Sequence, residues 1–376
     1  MKLDLNRAMQ ETMRLMQAGD LPGAVLAIQQ GLQGTESVQN ARSGASGAPP
    51  ASLEAEYRVL RDTNGAQASE TISVPQRDRD HAPEGEFRDH DFICDAGSIR
   101  YKLFIPAGAD TTALPLIVML HGCTQSPDDF ARGTRMNALA QEHGYLIAYP
   151  AQANRNNASK CWNWFRSSDQ RRGTGEPALL AALTRHLVTT HGLDQRRVYV
   201  AGLSAGGAMA AVLAATYPDV YAAIGIHSGL PFGVAHDVAS AFAAMKQPGG
   251  MSVGAAPTLG APVPTIVFHG DRDTTVTAGN AAAIIEQSIG AANRTSNAEL
   301  ALPRASVERG LAGGRRYTRT LFTNATGAVI AEQWLVHGAG HAWFGGDPAG
   351  SYADPAGPNA SEHMLRFFSN ASGSWR

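Results

Sequence analysis

Large apolar side chains return every three or four positions along the first 33 residues. Leu5, Met9, Met13 and Met16 fall on one helix face, and Gly19-Asp20 then breaks the run. Pro22 suits the first turn of a second helix, whose own stripe is Val25, Ile28 and Leu32. The pattern predicts a helical hairpin over residues 1–33. Gly, Ala, Ser, Pro and Gln follow with few large apolar side chains, and a polar stretch continues to residue 86. Such a segment buries too little to offset its ordering entropy, so residues 34–86 read as a flexible linker.

From about residue 90 the texture changes. Ile99–Ile105 alternates like a half-buried strand, whereas Leu116–Leu120 is a continuous apolar run, as expected of a strand covered on both faces. Similar runs occur at Leu146–Tyr149, Val198–Leu203, Ala222–Ile226 and Thr265–Phe268, and Glu332–Val336 reads as a further strand. Helical segments at 135–143, 177–191, 205–216 and 279–290 separate them. Strands alternating with helices predict an α/β fold over residues 87–376, a mostly parallel sheet with helices on both faces. In such sheets ligands bind at the carboxyl ends of the strands.

Composition narrows the function classes. The 376 residues are 44% hydrophobic, enough for a sizeable core, and the formal net charge is −2. A chain without basic excess is a poor match for nucleic acid. Nowhere does an apolar run reach the length of a membrane span, and Ala205–Ala215 is too short to be one. The N-terminus is charged at Lys2, Asp4, Arg7, Glu11 and Arg14 and shows no apolar core of a standard secretory signal, which favours the cytoplasm. Four of the ten methionines lie in the first 16 residues. Such a stripe packs on its own domain or serves as an adaptable surface for self-association or granule contact. Three cysteines, Cys94, Cys123 and Cys161, give neither a disulfide framework nor a zinc spacing.

The chemistry concentrates at the strand ends. Gly202-Leu203-Ser204-Ala205-Gly206 follows the strand Val198–Ala201 and opens a helix of small residues. G-x-S-x-G in that context is a nucleophile elbow, a sharp turn that lifts a serine hydroxyl clear of the sheet, as in α/β-hydrolases. There the acid and then the histidine come later in the chain. His269-Gly270-Asp271-Arg272-Asp273 follows the strand Thr265–Phe268. Asp273 sits further into the loop, where it reaches a neighbouring loop, while Asp271 suits a turn-shaping role. His341 comes from the glycine-rich loop after Glu332–Val336, with His337 at the strand end as the second candidate. Backbone N–H groups of Ala205 and Cys123, the latter after the strand Leu116–Leu120, are placed to form an oxyanion hole. His121 braces that loop. This chemistry calls for no cofactor and no metal.

Together, His121-Gly122-Cys123-Thr124-Gln125, Cys161-Trp162-Asn163-Trp164-Phe165, Gly202–Gly207, His269–Val276 and Gly340-His341-Ala342-Trp343 resemble the polyhydroxybutyrate (PHB) depolymerase family of esterases, over roughly residues 90–370. The resemblance implies Ser204, Asp273 and His341 as the triad, Cys123 and Ala205 as the oxyanion hole, and Cys123 and Cys161 close enough to bridge, with Cys94 free. Secreted members carry a signal peptide and usually a polymer-binding domain; the hairpin takes their place here. Trp343, Trp162 and Trp164 either line a groove for an apolar substrate or pack the core. The expected substrate is a short-chain ester, of the hydroxyalkanoate oligomer or polyester type. Feruloyl or acetylxylan-type carbohydrate esters are the alternative. A non-catalytic granule-binding scaffold is a reading of another class, and the intact serine, acid and histidine speak against it.

Overall fold

The protein is described by a computed structural model over residues 85–247, 262–295 and 303–371. The expected hairpin 1–33 and nearly all of the linker 34–86 lie outside the described residues, as does most of the loop at 248–264. The described residues fall in one compact unit.

Twelve strands are present among them. Ten form one sheet: β1 (Glu86–Cys94), β2 (Gly97–Ile105), β3 (Leu116–Leu120), β4 (Leu146–Ala151), β5 (Val198–Leu203), β6 (Ala223–His227), β7 (Thr265–Gly270), β8 (Arg304–Ala312), β9 (Arg315–Thr323) and β10 (Val329–Val336). Their spatial order is β1-β2-β4-β3-β5-β6-β7-β10-β9-β8. The six strands from β4 to β10 pair in parallel, and the two flanks are antiparallel. The two remaining strands, β11 (Trp343–Phe344) and β12 (Ala353–Asp354), form a small parallel ladder of their own.

Strand alternation divides the core in two. Leu116, Val118, Leu120, Val198 and Val200 face one layer, with helices α3 (Gly175–His191), α4 (Ala205–Thr216), α5 (Val238–Lys246) and α6 (Gly279–Thr295). Ile117, Met119, Tyr199, Ala201 and Leu203 face the other, with α1 (Pro127–Thr134), α2 (Met136–His143) and α7 (Ala360–Ala371). Helix α4 is buried almost all round, which its run of Ala and Gly permits by letting neighbouring backbones come close. Among the described residues no helix is long and apolar enough to cross a membrane.

Several elements go beyond the apolar pattern. β1 begins at Glu86, so its first residue falls within the expected linker. β1 and β8 are edge strands with mostly exposed side chains, and neither carries a buried stripe. The β8–β9 hairpin turns through Gly313 (φ 51°) and Gly314 (φ 76°), two successive left-handed residues as a tight primed turn requires.

The register gathers the strand ends. Leu120 lies beside Gly202, Leu203 beside His227, and Val336 beside Gly270. Because β3, β5, β6, β7 and β10 run parallel, the loops that begin at His121, Ser204, Ser228, Asp271 and His337 all leave the same edge of the sheet.

Candidate active site

Ser204 stands between β5 and α4 with φ 57° and ψ −117°. A non-glycine residue there costs about 1–3 kcal/mol and persists only where the surroundings enforce it. Two backbone bonds do so: Ser204 N–H donates to the His227 carbonyl (2.8 Å), and Ala208 N–H donates to the Ser204 carbonyl (2.9 Å). The flanking glycines are required by contact. A Cβ on Gly206 would lie 2.0 Å from the Leu120 carbonyl oxygen, and one on Gly202 would lie 2.3 Å from the Gly206 carbonyl carbon. With both bare, strand and helix close on each other, and the N-terminus of α4 starts directly at the serine.

The loop after β3 is held from several sides. Gly122 N–H donates to Gln125 Oε1 (2.8 Å) and Thr124 N–H to the Ser159 carbonyl (2.7 Å). The N–H of Cys123, between them, has no partner among the described residues. Ala205, first residue of α4, has no intrahelical acceptor for its N–H either. Cys123 is disulfide-bonded to Cys161, with Cα atoms 4.2 Å apart, and Cys94 is free.

Beneath the loop, His121 accepts from Gln152 N–H at Nε2 (3.1 Å), so Nδ1 carries the proton and donates to the Gly122 carbonyl (2.7 Å). Burial pushes its pKa down to about 4, keeping it neutral. Its carbonyl accepts the Trp162 indole N–H (3.1 Å). Gln152 in turn bonds Glu176, which also accepts from the Asn163 backbone (2.7 Å) and side chain (2.6 Å). Burial raises the Glu176 pKa against these bonds. His121 is thus a brace tying the loop after β3 to the Cys161–Phe165 segment.

The two carboxylates after β7 have separate partners. Asp273, its side chain fully buried, accepts from His341 Nδ1 (2.7 Å) at Oδ2 and from Thr275 and Val276 N–H (2.9 and 2.8 Å) at Oδ1. His269 Nε2 lies 3.4 Å from Oδ2 and donates to the Val276 carbonyl (2.8 Å), which leaves its buried Nδ1 bare. Burial raises the Asp273 pKa, but hydrogen bonds from His269 and His341 outweigh it and hold the carboxyl well below the usual carboxylate range. Asp271 instead accepts from His337 Nδ1 (2.8 Å) and Gly338 N–H (2.7 Å), in a half-exposed position. His337 Nε2 lies 3.0 Å from Thr318 Oγ1 on β9. Both aspartates therefore bind histidines, and burial separates them: one pair is enclosed, the other faces solvent.

The histidine loop is fastened to the acid loop by backbone bonds from Asp271 N–H to Val336 and from Arg272 N–H to Ala339. It is fastened to the serine strand through His227. The His227 carbonyl holds Ser204 N–H, its Nε2 accepts Phe344 N–H (3.2 Å), and its ring stacks on Trp343 at 5.1 Å. Burial pushes its pKa well down. The sequence assigns no role to His227, the last residue of β6, or to His269, one residue before the end of β7.

The tryptophans do not form a mouth. Trp343 is 1% exposed, with its indole N–H on Ser361 Oγ (3.0 Å) and its ring against Phe130. Trp162 is 1% exposed and Trp164 6%, the latter edge-on to Phe165. Of the two expectations for these residues, core packing is the one realised. Each ring's apolar area is better used under the loops than on them, and both hydrogen-bonded indoles have partners inside. The aromatic beside His341 is instead Tyr352, whose ring centroid lies 6.5 Å from the imidazole. Among the described residues no group of three or more His, Cys, Asp or Glu is arranged to hold a metal.

A sequence profile described as Esterase PHB depolymerase matches residues 99–299, more than half of the chain. Poly(3-hydroxyalkanoate) depolymerase C of Paucimonas lemoignei is 32% identical over 259 residues, 66% of this chain and 60% of the relative. Feruloyl esterase B of Thermothelomyces thermophilus is 33% identical over 145 residues, 38% of this chain and 48% of the relative. The chain thus spans about half to three fifths of the length of these relatives. Among solved structures, an acetyl xylan esterase from Aspergillus awamori superposes with a TM-score of 0.56 at 18% identity, covering 76% of this chain and all of that one. At that identity the likeness shows the α/β-hydrolase fold alone.

Proposed function

We propose, on the premise that this chain belongs to the Esterase PHB depolymerase family, that it is a serine esterase cleaving short-chain hydroxyalkanoate esters, oligomers or polyesters through an acyl-enzyme. The observation that carries the reading is the enclosed Asp273–His341 pair, at the sheet edge where Ser204 is held in its strained elbow.

In this reading the Ser204 hydroxyl attacks the ester carbonyl while His341 Nε2 takes its proton. Asp273 fixes the tautomer by accepting from Nδ1 and offsets the charge of the imidazolium. The carbonyl oxygen becomes an oxyanion between the N–H groups of Cys123 and Ala205. Collapse expels the alcohol, which receives the proton from His341, and leaves the acyl group on Ser204. Water repeats the cycle: His341 accepts its proton, the tetrahedral intermediate collapses, and the acid departs as Ser204 regains a proton.

The depolymerase relative matches a longer stretch of the chain than the feruloyl esterase relative, which favours a hydroxyalkanoate over a carbohydrate ester. For residues 1–33 we carry forward the reading of a hairpin that contacts a granule or a second copy of the chain. The test is a panel of 3-hydroxybutyrate trimer, methyl ferulate and acetylated xylan, run with the native chain and Ser204→Ala. The expected result is trimer turnover in the native chain and a loss of several orders of magnitude in kcat for the variant. Activity retained in Ser204→Ala at more than a few per cent would exclude the serine mechanism. Faster turnover of ferulate or xylan would transfer the substrate to the carbohydrate class.

A further inference from the structure

Four large hydrophobic side chains stand exposed among the described residues, and three of them lie on the edge strands β1 and β8. The fourth is Tyr352, 48% exposed and beside His341. We propose that the Tyr352 ring is the contact surface for the alcohol half of the ester. This rests on the serine-esterase reading above and goes further by assigning a side of the site and the chemistry it takes.

Placement comes first. Tyr352 has a left-handed backbone, φ 52°, and both chain neighbours are fixed. On one side, the Ser351 carbonyl accepts from Gln125 Nε2 (2.8 Å), and Ser351 N–H donates to Asp129 (2.9 Å). On the other, Ala353 pairs with Trp343 in the β11–β12 ladder, and the Tyr352 carbonyl accepts Trp343 N–H (2.7 Å). The tyrosine therefore spans from the loop carrying Cys123 to the loop carrying His341. An exposed aromatic in an unfavourable backbone conformation, anchored on both sides by the site's own loops, is held outward by the fold.

Chemistry then chooses the half of the substrate. The carbonyl oxygen points at the N–H groups of Cys123 and Ala205, and the acyl carbon is bonded to Ser204. His341 delivers its proton to the departing alcohol, so a group packed edge-on against His341 meets the alcohol side. A phenol ring offers an apolar face to C–H surfaces while its hydroxyl stays in water. The matching ligand is a C–H-rich alcohol moiety extending from the scissile oxygen. The next hydroxyacyl unit of an oligoester and a sugar ring both have that chemistry.

Methyl butyrate and benzyl butyrate form the same butyryl-enzyme, so differences between them arise on the alcohol side. Asn tolerates a left-handed backbone, so Tyr352→Asn removes the ring with the least disturbance of the loop. The ratio of kcat/KM for benzyl over methyl butyrate should fall up to about tenfold in Tyr352→Asn, mostly through KM, and stay within about twofold in Tyr352→Phe. A merely structural role would lower both esters together and lower the melting temperature in parallel. An unchanged ratio in Tyr352→Asn, or an equal loss in Tyr352→Phe, overturns the assignment. A larger loss on 3-hydroxybutyrate trimer than on an acetylated xylo-oligosaccharide supports the hydroxyacyl unit as occupant, and the reverse supports the sugar. Failure of the serine-esterase reading would look different: a native chain that turns over neither butyrate ester.

Discussion

Replacing Asp273 by Asn changes one atom, and the structure says where it goes. Thr275 and Val276 N–H groups both point at Oδ1, so the amide oxygen must stay there. The amide nitrogen then takes the Oδ2 position, 2.7 Å from His341 Nδ1 and 3.4 Å from His269 Nε2. An NH2 group donates, so His341 is bonded only if its Nδ1 is bare. That tautomer carries its proton on Nε2 and is unable to take one from Ser204. By analogy with serine-protease triads the loss in kcat is roughly 10³–10⁴, equivalent to about 4–5.5 kcal/mol of transition-state stabilisation. Folding should survive, because the two backbone bonds remain and His269 keeps the Val276 carbonyl. Asp271→Asn makes the same change in a half-exposed pair whose histidine faces Thr318, so the loss there should stay below about tenfold. The assay is kcat on p-nitrophenyl butyrate for both variants, with thermal melts alongside. A loss of three orders of magnitude in Asp271→Asn with Asp273→Asn nearly intact would refute the reasoning and move the acid to the exposed pair.

Removing the disulfide with Cys123→Ala and Cys161→Ala opens a closure of 38 residues, for which chain entropy gives about 4 kcal/mol. The melting temperature should drop by about 10 °C, and under the proposed mechanism kcat should fall because the bridge no longer steadies the loop whose Cys123 N–H is the proposed oxyanion donor; an unchanged melt would show that the bridge is not formed in solution. The His121 pKa, lowered by burial from 6.5 to about 4, has a signed consequence for stability. The folded state refuses a proton that the unfolded state accepts, so stability falls as pH drops from about 6.5 toward 4, by about 3 kcal/mol from this group. His121→Gln should flatten the pH dependence of denaturant unfolding by one proton across that window, and parallel curves would contradict the assignment. Gly206→Ala sets a methyl against the Leu120 backbone, which is unable to move aside, and should cost at least about 3 kcal/mol in urea unfolding. A native-like midpoint would mean that β3 and α4 sit further apart than described.

How much of the fold was legible depended on burial. β3 and β5 to β7 are covered on both faces, and a strand in that setting has to be apolar throughout, so each showed as an unbroken run. β1, β8 and β9 are held by ladder hydrogen bonds at or near the sheet's edges, where solvent tolerates Arg, Glu, Asp and Thr, and no stripe marks them. The Gly313-Gly314 turn was the available signal for the last two. Helix α7 was legible in principle. Met364, Leu365, Phe367, Phe368 and Ala371 make an apolar face on the second core layer.

The site divides along a different line. Its elbow, acid and histidine loops follow chain order, because a parallel sheet delivers successive strand ends to one edge. Ser204, Asp273 and His341 were therefore visible as candidates before any coordinates. What chain order does not carry is which side chain of a loop turns inward. Trp343 lies two residues beyond His341 and Tyr352 eleven, yet Trp343 is buried under the loop and Tyr352 faces solvent. The reason lies in the β11–β12 ladder, which pairs Trp343 with Ala353 and carries the chain back past the histidine. That pairing packs the larger ring on His227 and Phe130, inside the core, and leaves the smaller ring of Tyr352, with its polar tip, at the surface. Proximity to a catalytic loop in sequence thus identifies residues that support it as readily as residues that meet the substrate, and only the return strand separates the two.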